Sequence, residues 1–161
     1  MDKSLLSNVH KKIMRANIPY KAPAISRFRE DYYFLSNFQE CAIEIDGIKY
    51  KNAEAAFQSL KCENIEDRRY FSHLNAKQAK SWGRKVKLRP DWEEVKCAFM
   101  YIVVYNKFSQ NPDLANKLLA TEDLYLIEGN NWNDRYWGVC KGKGYNRLGV
   151  ILMMVREKLK L

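Results

Sequence analysis

A change of hydrophobic period near residue 50 limits the folds open to this chain. The stretch AIEIDGIKY (42–50) alternates apolar and charged side chains, and Asp46-Gly47 supplies the two positive-φ positions of a tight hairpin turn. Directly afterwards, NAEAAFQSLKC (52–62) opens with Asn52, a good N-cap, and continues with alanines and a leucine at helical spacing. The sequence therefore predicts a β-hairpin that runs straight into a helix.

Helical patterns dominate the remainder of the chain. The longest spans 88–110, with Pro90 and acidic residues in its first turn and an apolar face behind them. Shorter helices are predicted over 76–86, over about 113–120, and from 145 to the end. A chain of 161 residues that is 47% hydrophobic is long enough for one well-filled core and too short for two. We expect a single α+β domain that is mainly α-helical, with a small β-hairpin or sheet near the N-terminus.

Residues 1–26 are predicted to form an N-terminal extension, with the domain itself over 27–161. The segment 1–18 has a weak amphipathic pattern that ends at Pro19, and Pro23 marks an extended link. Such a segment can serve as a cap, a dimer contact or an ordered tail. Its composition does not choose among these roles.

The charge balance favours an anionic partner. Lysine and arginine number 28 against 19 acidic residues, a net charge of +9, which suits phosphate, nucleotide or nucleic acid without choosing among them. A solvated basic surface explains the charge equally well. The four cysteines are far apart and form no CxxC pair, so we expect a reduced, cytoplasmic protein with no metal site and no cofactor. No signal segment or apolar run of membrane-spanning length is found, so no membrane partner is expected.

The stretch GNNWNDRYWG (129–138) combines indole rings with amides in what must be a loop. Trp132 and Trp137 are often core residues in such positions, but here they alternate with asparagines and Asp134, which resist burial unless each finds a hydrogen-bond partner. A loop of flat faces and fixed donors suits a planar, polar ligand. We expect it to form one wall of a binding pocket.

The helix after the hairpin carries a second candidate set. Glu54, Gln58 and Lys61 stand at i, i+4 and i+7 and share one stripe of the helix. An exposed face with an ordinary glutamate and lysine is the simpler explanation. The alanines at 53, 55 and 56 favour a pocket instead, because they leave space beside the glutamate.

Two chemical routes follow from these residues. Paired carboxylates, here Glu54 and Asp134, are the usual groups for breaking a glycosidic bond, since one handles protons while the other stabilises an oxocarbenium-like centre. Alternatively, an N-glycoside on an exocyclic amine opens to an imine, and a desolvated Lys61 exchanges onto the anomeric carbon as a Schiff base. The sequence does not decide between them.

Glycine-containing segments offer anion contacts. In GVCKGKGYN (138–146), Lys141 and Lys143 stand among glycines just ahead of the last helix, so backbone N–H groups and ammonium groups can meet a phosphate at that helix N-terminus. The segment is neither a Walker loop nor a GxGxxG motif, and its specificity alone is poor. Arg84 is a similar weak candidate.

Seven motifs in order resemble the NADAR domain, the YbiA-like N-glycosidase family. They are FLSNF (34–38), AEAAFQSLK (53–61), GR (83–84), LRPDWEEVK (88–96), KF (107–108), DRYWG (134–138) and NRLGVILMMVR (146–156). The resemblance runs from about Phe28 to Lys160. It implies a compact α+β domain that hydrolyses N-glycosidic bonds to ribose 5-phosphate or ADP-ribose, as in riboflavin-pathway intermediates or in ADP-ribosylated guanine of nucleic acid.

The residue patterns described above and the resemblance together give the expected site residues. Glu54, Lys61 and Asp134 are the catalytic candidates. The expected substrate-binding residues are Asn37, Phe38, Gln58, Arg84, Trp132, Trp137, Gly138, Lys143 and Asn146. Many members carry His-Tyr after the motif glutamate, whereas Ala55 and Ala56 follow it here, so the pocket is expected to be wider.

Two rival functions remain open. A non-catalytic module for ADP-ribose or NAD-derived nucleotides would use the same aromatic and basic groups but would tolerate loss of Glu54. A basic nucleic-acid-binding domain fits the charge but lacks one obvious stripe of lysines with stacking aromatics. The natural substrate and the oligomeric state are not set by the sequence.

Overall fold

Helices make up most of the chain, and short strands lie between them. The computed structural model describes residues 1–161 and contains seven α-helices: α1 Lys3–Arg15, α2 Ala53–Ser59, α3 Ile65–Tyr70, α4 Ala76–Gly83, α5 Trp92–Gln110, α6 Pro112–Ala120 and α7 Arg147–Leu159. The strands are β1 Ala24–Ile25, β2 Glu40–Ile45, β3 Ile48–Asn52, β4 Tyr125–Leu126, β5 Gly129–Asn130 and β6 Val139–Cys140. Two 3-10 helices cover Glu30–Leu35 and Phe71–His73. The predicted fold class, α+β and mainly helical, is confirmed.

The predicted hairpin and the helix after it are present. Strand β2 pairs antiparallel with β3. Asp46 and Gly47 both have positive φ, 53° and 77°, as the tight turn requires. Asn52 ends the hairpin and caps α2, because its side-chain oxygen accepts the backbone N–H of Ala55 at 2.7 Å. The hairpin therefore fixes where α2 begins.

The long helix α5 begins later than the sequence predicted. It starts at Trp92, so Pro90 lies ahead of it. The residues before it form a turn in which Arg89 makes two side-chain bonds to Asp91, at 2.6 and 3.1 Å. The backbone N–H of Arg89 also donates to the carbonyl of Lys61 at 2.8 Å, which ties this turn to the end of α2.

Helix α5 is the centre of the core. It contacts α1, α2, α6, α7 and β2. Leu6 and Ile13 of α1 belong to the same hydrophobic cluster, and His10 Nδ1 accepts the backbone N–H of Cys97 at 3.1 Å. Much of the segment 1–26, predicted as an extension, thus packs onto the domain. No helix combines the length and the apolar character needed to cross a bilayer.

Two parallel strand pairs complete the fold and were not predicted. Strand β1 pairs with β4, and β5 pairs with β6. The first pair joins segments about 100 residues apart in the sequence, and the second joins short segments that have no alternating hydrophobic pattern. Together they hold the chain around residues 126–140 against the helices, and this position brings residues 129–138, the Trp-rich loop, to α2.

Candidate active site

One cavity gathers segments that lie far apart in the sequence. Its volume is about 580 Å³, and its walls come mainly from residues 28–38, α2, α4 and the segment 128–137. Nine of the twelve predicted site residues line it: Asn37, Phe38, Glu54, Gln58, Lys61, Arg84, Trp132, Asp134 and Trp137. This volume is in the usual range for small-molecule sites.

Helix α2 supplies a buried acid to the cavity. Its alanines pack in the core, while Glu54 is only 8% exposed and still reaches the cavity. Burial raises the pKa of Glu54, and the hydrogen bond from Gln58 and the charges of Lys80 and Lys61 oppose that rise. The bond joins Gln58 Nε2 to Glu54 Oε1 at 2.8 Å. Gln58 was predicted to bind substrate, and its amide holds the glutamate.

Gly83 makes room for this amide. A β-carbon at Gly83 would overlap the side-chain oxygen and carbon of Gln58. The Oε1 atom of Gln58 is buried and accepts no hydrogen bond. Because Gly83 has no side chain, the end of α4 packs closely against α2. The Gln58 amide occupies the space of the missing side chain and bonds Glu54 from there.

Lys61 lies at the end of the same wall. Its Nζ donates to the carbonyl of Gly83 at 3.3 Å and stands 5.9 Å from the centroid of the Trp92 ring. Burial lowers the pKa of Lys61, and the carboxylate of Glu54 opposes this change. A lowered pKa increases the share of neutral amine, which is the nucleophilic form.

The Trp-rich loop forms the opposite wall. Asp134 Oδ1 accepts the backbone N–H groups of Tyr136 at 3.1 Å and of Trp137 at 2.9 Å. Asn130 ties the loop together, since its Oδ1 accepts the N–H of Asp134 at 3.0 Å and its Nδ2 donates to the carbonyl of the same residue at 2.8 Å. Several polar groups of this loop therefore hold its own backbone in shape.

Glu128 is a cavity residue that the sequence analysis missed. It precedes β5 and lines the cavity near Asp134 and Arg29. Burial raises the pKa of Glu128 to about 7, with a further rise from the Asp134 charge that Arg29 opposes. A carboxyl group with such a pKa is partly protonated at neutral pH. The only sequence signal for Glu128 was its position directly before the Trp-rich loop. In an irregular segment no helix or strand periodicity shows which way a side chain points.

Three predicted substrate-binding residues lie outside the cavity lining. A β-carbon at Gly138 would overlap the carbonyl of Glu128, so this glycine permits close backbone packing. Asn146 is 5% exposed; its Oδ1 accepts the N–H of Glu128 at 3.0 Å, and its Nδ2 donates to the carbonyl of Leu126 at 2.9 Å. Lys143 is exposed on a turn after β6.

Three backbone N–H groups at the start of α7, where a phosphate contact was predicted, already have partners within the protein. The backbone N–H groups of residues 146, 147 and 148 donate to the carbonyls of Gly138, Tyr136 and Trp137, at 3.2, 3.1 and 2.9 Å. These donors are therefore occupied by the Trp-rich loop. The cations that do line the cavity are Arg29, Lys61, Lys80 and Arg84.

Aromatic rings and a lysine mark the cavity mouth. Trp132 is 48% exposed, and Lys80 Nζ lies 5.6 Å from its ring centroid and 5.8 Å from that of Phe38. Deeper in, the Trp137 ring packs edge-on against Phe57 with centroids 5.4 Å apart. Trp132 is thus free to meet a ligand face, whereas Trp137 is a fixed part of the wall.

A buried lysine holds the segment 28–38, which forms a third wall of the cavity. Lys107 on α5 is 1% exposed, and its Nζ donates to the carbonyls of Phe34 at 2.7 Å and Ser36 at 2.9 Å. Burial lowers the pKa of Lys107 to about 8. These bonds fix the backbone just before Asn37 and Phe38, both of which line the cavity.

The residues that commonly bind metals do not gather anywhere in this fold. All four cysteines are free. No group of three or more histidine, cysteine, aspartate or glutamate side chains is placed to hold a metal ion. The groups that face the cavity are carboxylates, amides, cations and aromatic rings.

Comparison with known proteins identifies the family. The model of the NADAR domain matches residues 25–160. The chain belongs to the NADAR family. The N-glycosidase YbiA of Escherichia coli (strain K12) is 37% identical to this NADAR protein over 136 residues, which are 82% of this chain and 84% of YbiA. The NMR structure of E. coli YbiA superposes with a TM-score of 0.78 at 34% identity, covering 91% of this chain and 90% of that one.

A longer relative shares almost the whole chain. A riboflavin biosynthesis protein of Vibrio vulnificus (strain YJ016) is 35% identical over 161 residues. The match covers 98% of this NADAR protein but 42% of the Vibrio protein, so the chain spans less than half of that relative. The names of the YbiA relatives support the prediction of a hydrolase that acts on N-glycosyl compounds.

Proposed function

We propose that this NADAR protein is an N-glycosidase that cleaves the C–N bond between ribose 5-phosphate or ADP-ribose and an exocyclic amine of a base. The observation that supports it is the cavity itself, where the buried acid Glu54, the desolvated Lys61 and the carboxyl groups of Glu128 and Asp134 share one space. Riboflavin-pathway intermediates are the first candidate substrates, because relatives carry the names N-glycosidase and riboflavin biosynthesis protein.

The charges suggest how such a substrate would lie. Aromatic Phe38 and Trp132 at the mouth offer faces for the base. Arg29, Lys80 and Arg84 add positive charge for phosphate, since guanidinium and ammonium groups bond phosphate oxygens strongly. The anomeric carbon would then lie between α2 and the Trp-rich loop.

Glu128 is the group best suited to protonate the leaving nitrogen. With a pKa of about 7 it carries a proton in much of the protein at neutral pH, as a general acid requires. In the direct route the C–N bond breaks, the amine takes the proton of Glu128, and water adds to the anomeric carbon while Glu54 accepts its proton. Asp134 would stabilise positive charge on the sugar.

The Schiff-base route uses the same cavity. The neutral amine of Lys61 adds to the anomeric carbon of the ring-opened imine, the base leaves as its free amine, and water then releases the sugar aldehyde and Lys61. Borohydride reduces such an adduct to a stable secondary amine. A mass increase on Lys61 after borohydride treatment during turnover supports this route, and failure to trap any adduct counts against it.

The first experiment compares two substrates. Wild type and Glu54→Gln are incubated with a ribosylamino-pyrimidine phosphate and with guanine-ADP-ribosylated DNA, and sugar release is followed. We expect release by the wild type from at least one substrate and its loss in Glu54→Gln. No release from either, with tight binding retained by both proteins, would replace this proposal by a non-catalytic ADP-ribose-binding module.

A further inference from the structure

A second groove lies on the face of α4 next to the one that lines the cavity. Its volume is about 360 Å³, and its walls include Tyr70, Lys77 and Trp82. Tyr70 is 48% exposed and Trp82 is 40% exposed, and their ring centroids are 5.1 Å apart with a tilt of 48°. Two large aromatic rings are thus held against each other in solvent, where a core role does not explain them.

The segment 76–89, which forms one side of this groove, is positively charged. Residues 76–89 contain six cations, Lys77, Lys80, Arg84, Lys85, Lys87 and Arg89, and no acidic residue. Arg89 alone among them forms a salt bridge, with Asp91. Lys85 Nζ stands 5.9 Å from the centroid of the Trp82 ring. Helix α3 carries two acids, Glu66, which is paired with Arg69, and Asp67, and also two arginines.

These features point to a polyanion with flat faces. We infer that the groove between Tyr70 and Trp82, with Lys77 and Lys85 beside it, binds single-stranded nucleic acid. Aromatic side chains stack on unpaired bases of any sequence, and unpaired lysines follow the phosphate backbone. A second copy of the chain is a poor occupant, since its net charge of +9 would place like charges together.

The groove and the cavity lie on different faces of α4. Lys80 and Arg84 line the cavity, whereas Lys77, Ser81 and Trp82 line the groove. An α-helix is about 10–12 Å across with its side chains, so adjacent nucleotides of one strand can reach both faces. Binding in the groove does not depend on the reaction proposed above, and the two can be tested apart.

The test measures fluorescence anisotropy of a labelled, mixed-sequence single-stranded DNA oligonucleotide. We expect Trp82→Ala to weaken binding about tenfold through lost stacking, and Trp82→Phe to restore most of it. Lys77→Gln/Lys85→Gln should weaken binding at every sequence and lower the slope of log K against log salt by about 1–2. The control Lys11→Gln/Lys12→Gln removes the same charge from exposed positions on α1.

Several results would overturn the inference. One is absence of binding by the wild type, and another is an equal loss in the α1 control, which would indicate attraction by net charge alone. Equal competition by polyglutamate or by duplex DNA would show that unpaired bases are not recognised. Circular dichroism and sugar release from a ribosylamino-pyrimidine phosphate should be unchanged in the groove variants, because none of the substituted residues lines the cavity.

Discussion

The two facing walls of the cavity are built in different ways. On α2, regular helical spacing places Glu54 and Gln58 side by side, and the bond between them orients the acid. In the Trp-rich loop, the side chains of Asp134 and Asn130 form hydrogen bonds with the loop backbone. Asn146, which lies outside the loop, accepts the backbone N–H of Glu128. A helix therefore positions its functional groups through its repeat, whereas an irregular segment needs additional polar side chains to do so.

The sharpest comparison removes one charge from each wall. Glu54→Gln should lower turnover about 10³-fold, since it deletes a buried proton-handling group. Asp134→Asn should lower it about 10²-fold with little loss of stability, because an asparagine oxygen can still accept the two backbone N–H groups. Turnover and thermal unfolding are measured on both proteins. Full turnover by both folded variants would contradict the assignment of the cavity.

Glu128→Gln tests the acid that the loop wall supplies. With the pKa of Glu128 at about 7, the wild-type rate should fall as pH rises through 7, because the proton donor is lost. The variant should be about 10²-fold slower at pH 6 and should lack this fall. A pH–rate profile checks it, with the exposed Glu63→Gln as control. Identical profiles for wild type and Glu128→Gln would rule out the proton-donor role.

Glu128 also makes the free energy of unfolding depend on pH. Its folded pKa of about 7 lies above the ordinary 4.5, so between these values the folded state holds a proton that the unfolded state has released. The contribution of Glu128 to the free energy of unfolding therefore falls as pH rises from 4.5 to 7. Glu128→Gln should unfold at a higher temperature than the wild type at pH 8.

Asn146→Ala should damage the loop wall while leaving α2 intact. It leaves the N–H of Glu128 and the carbonyl of Leu126 without partners, at a cost of about 3 kcal/mol in the free energy of unfolding. Asn146 also has φ of 53°, which alanine adopts poorly. Asn146→Gly relieves the backbone but not the lost bonds. Urea unfolding separates the two effects, and equal stability of Asn146→Ala and wild type would show that the bonds are unimportant.

Gly83→Ala acts on the α2 wall through Gln58. The new methyl group displaces the amide and loosens Glu54, so turnover should fall about tenfold. A double-mutant cycle with Gln58→Ala checks this mechanism. In the Gln58→Ala background, Gly83→Ala should have little further effect on turnover, since only the close approach to the β-carbon of residue 58 remains. Additive losses would show that Gly83 acts by another route.

The sequence predicted the helical wall better than the loop wall. The placement of Glu54 and Gln58 depends only on helical spacing, and Lys61 lies in the turn directly after α2; the structure places all three at the cavity. Gly138 and Asn146 stood out as motif positions, but their contacts are with the backbone around Glu128, which local spacing does not reveal.

Long-range pairing explains most of what the sequence analysis missed. The pairing of β5 with β6 joins the first residues of the Trp-rich loop to the segment directly after it and has no periodic pattern. It brings the carbonyl of Glu128 to the N–H of Val139 at 2.8 Å. The packing of α1 on α5 was also missed, because an amphipathic pattern shows that a helix has an apolar face but does not show which element covers that face.

The overlap between Gly83 and Gln58 also has an evolutionary consequence. Gly83 and Gln58 are 25 residues apart in the chain, and the Gln58 side chain occupies the space that a side chain at position 83 would need. Neither residue can therefore change in size alone without moving Glu54. In chains of this fold, a side chain at the position of Gly83 should appear only together with a shorter residue at that of Gln58. This pair should therefore covary across the family, although the two residues belong to different helices.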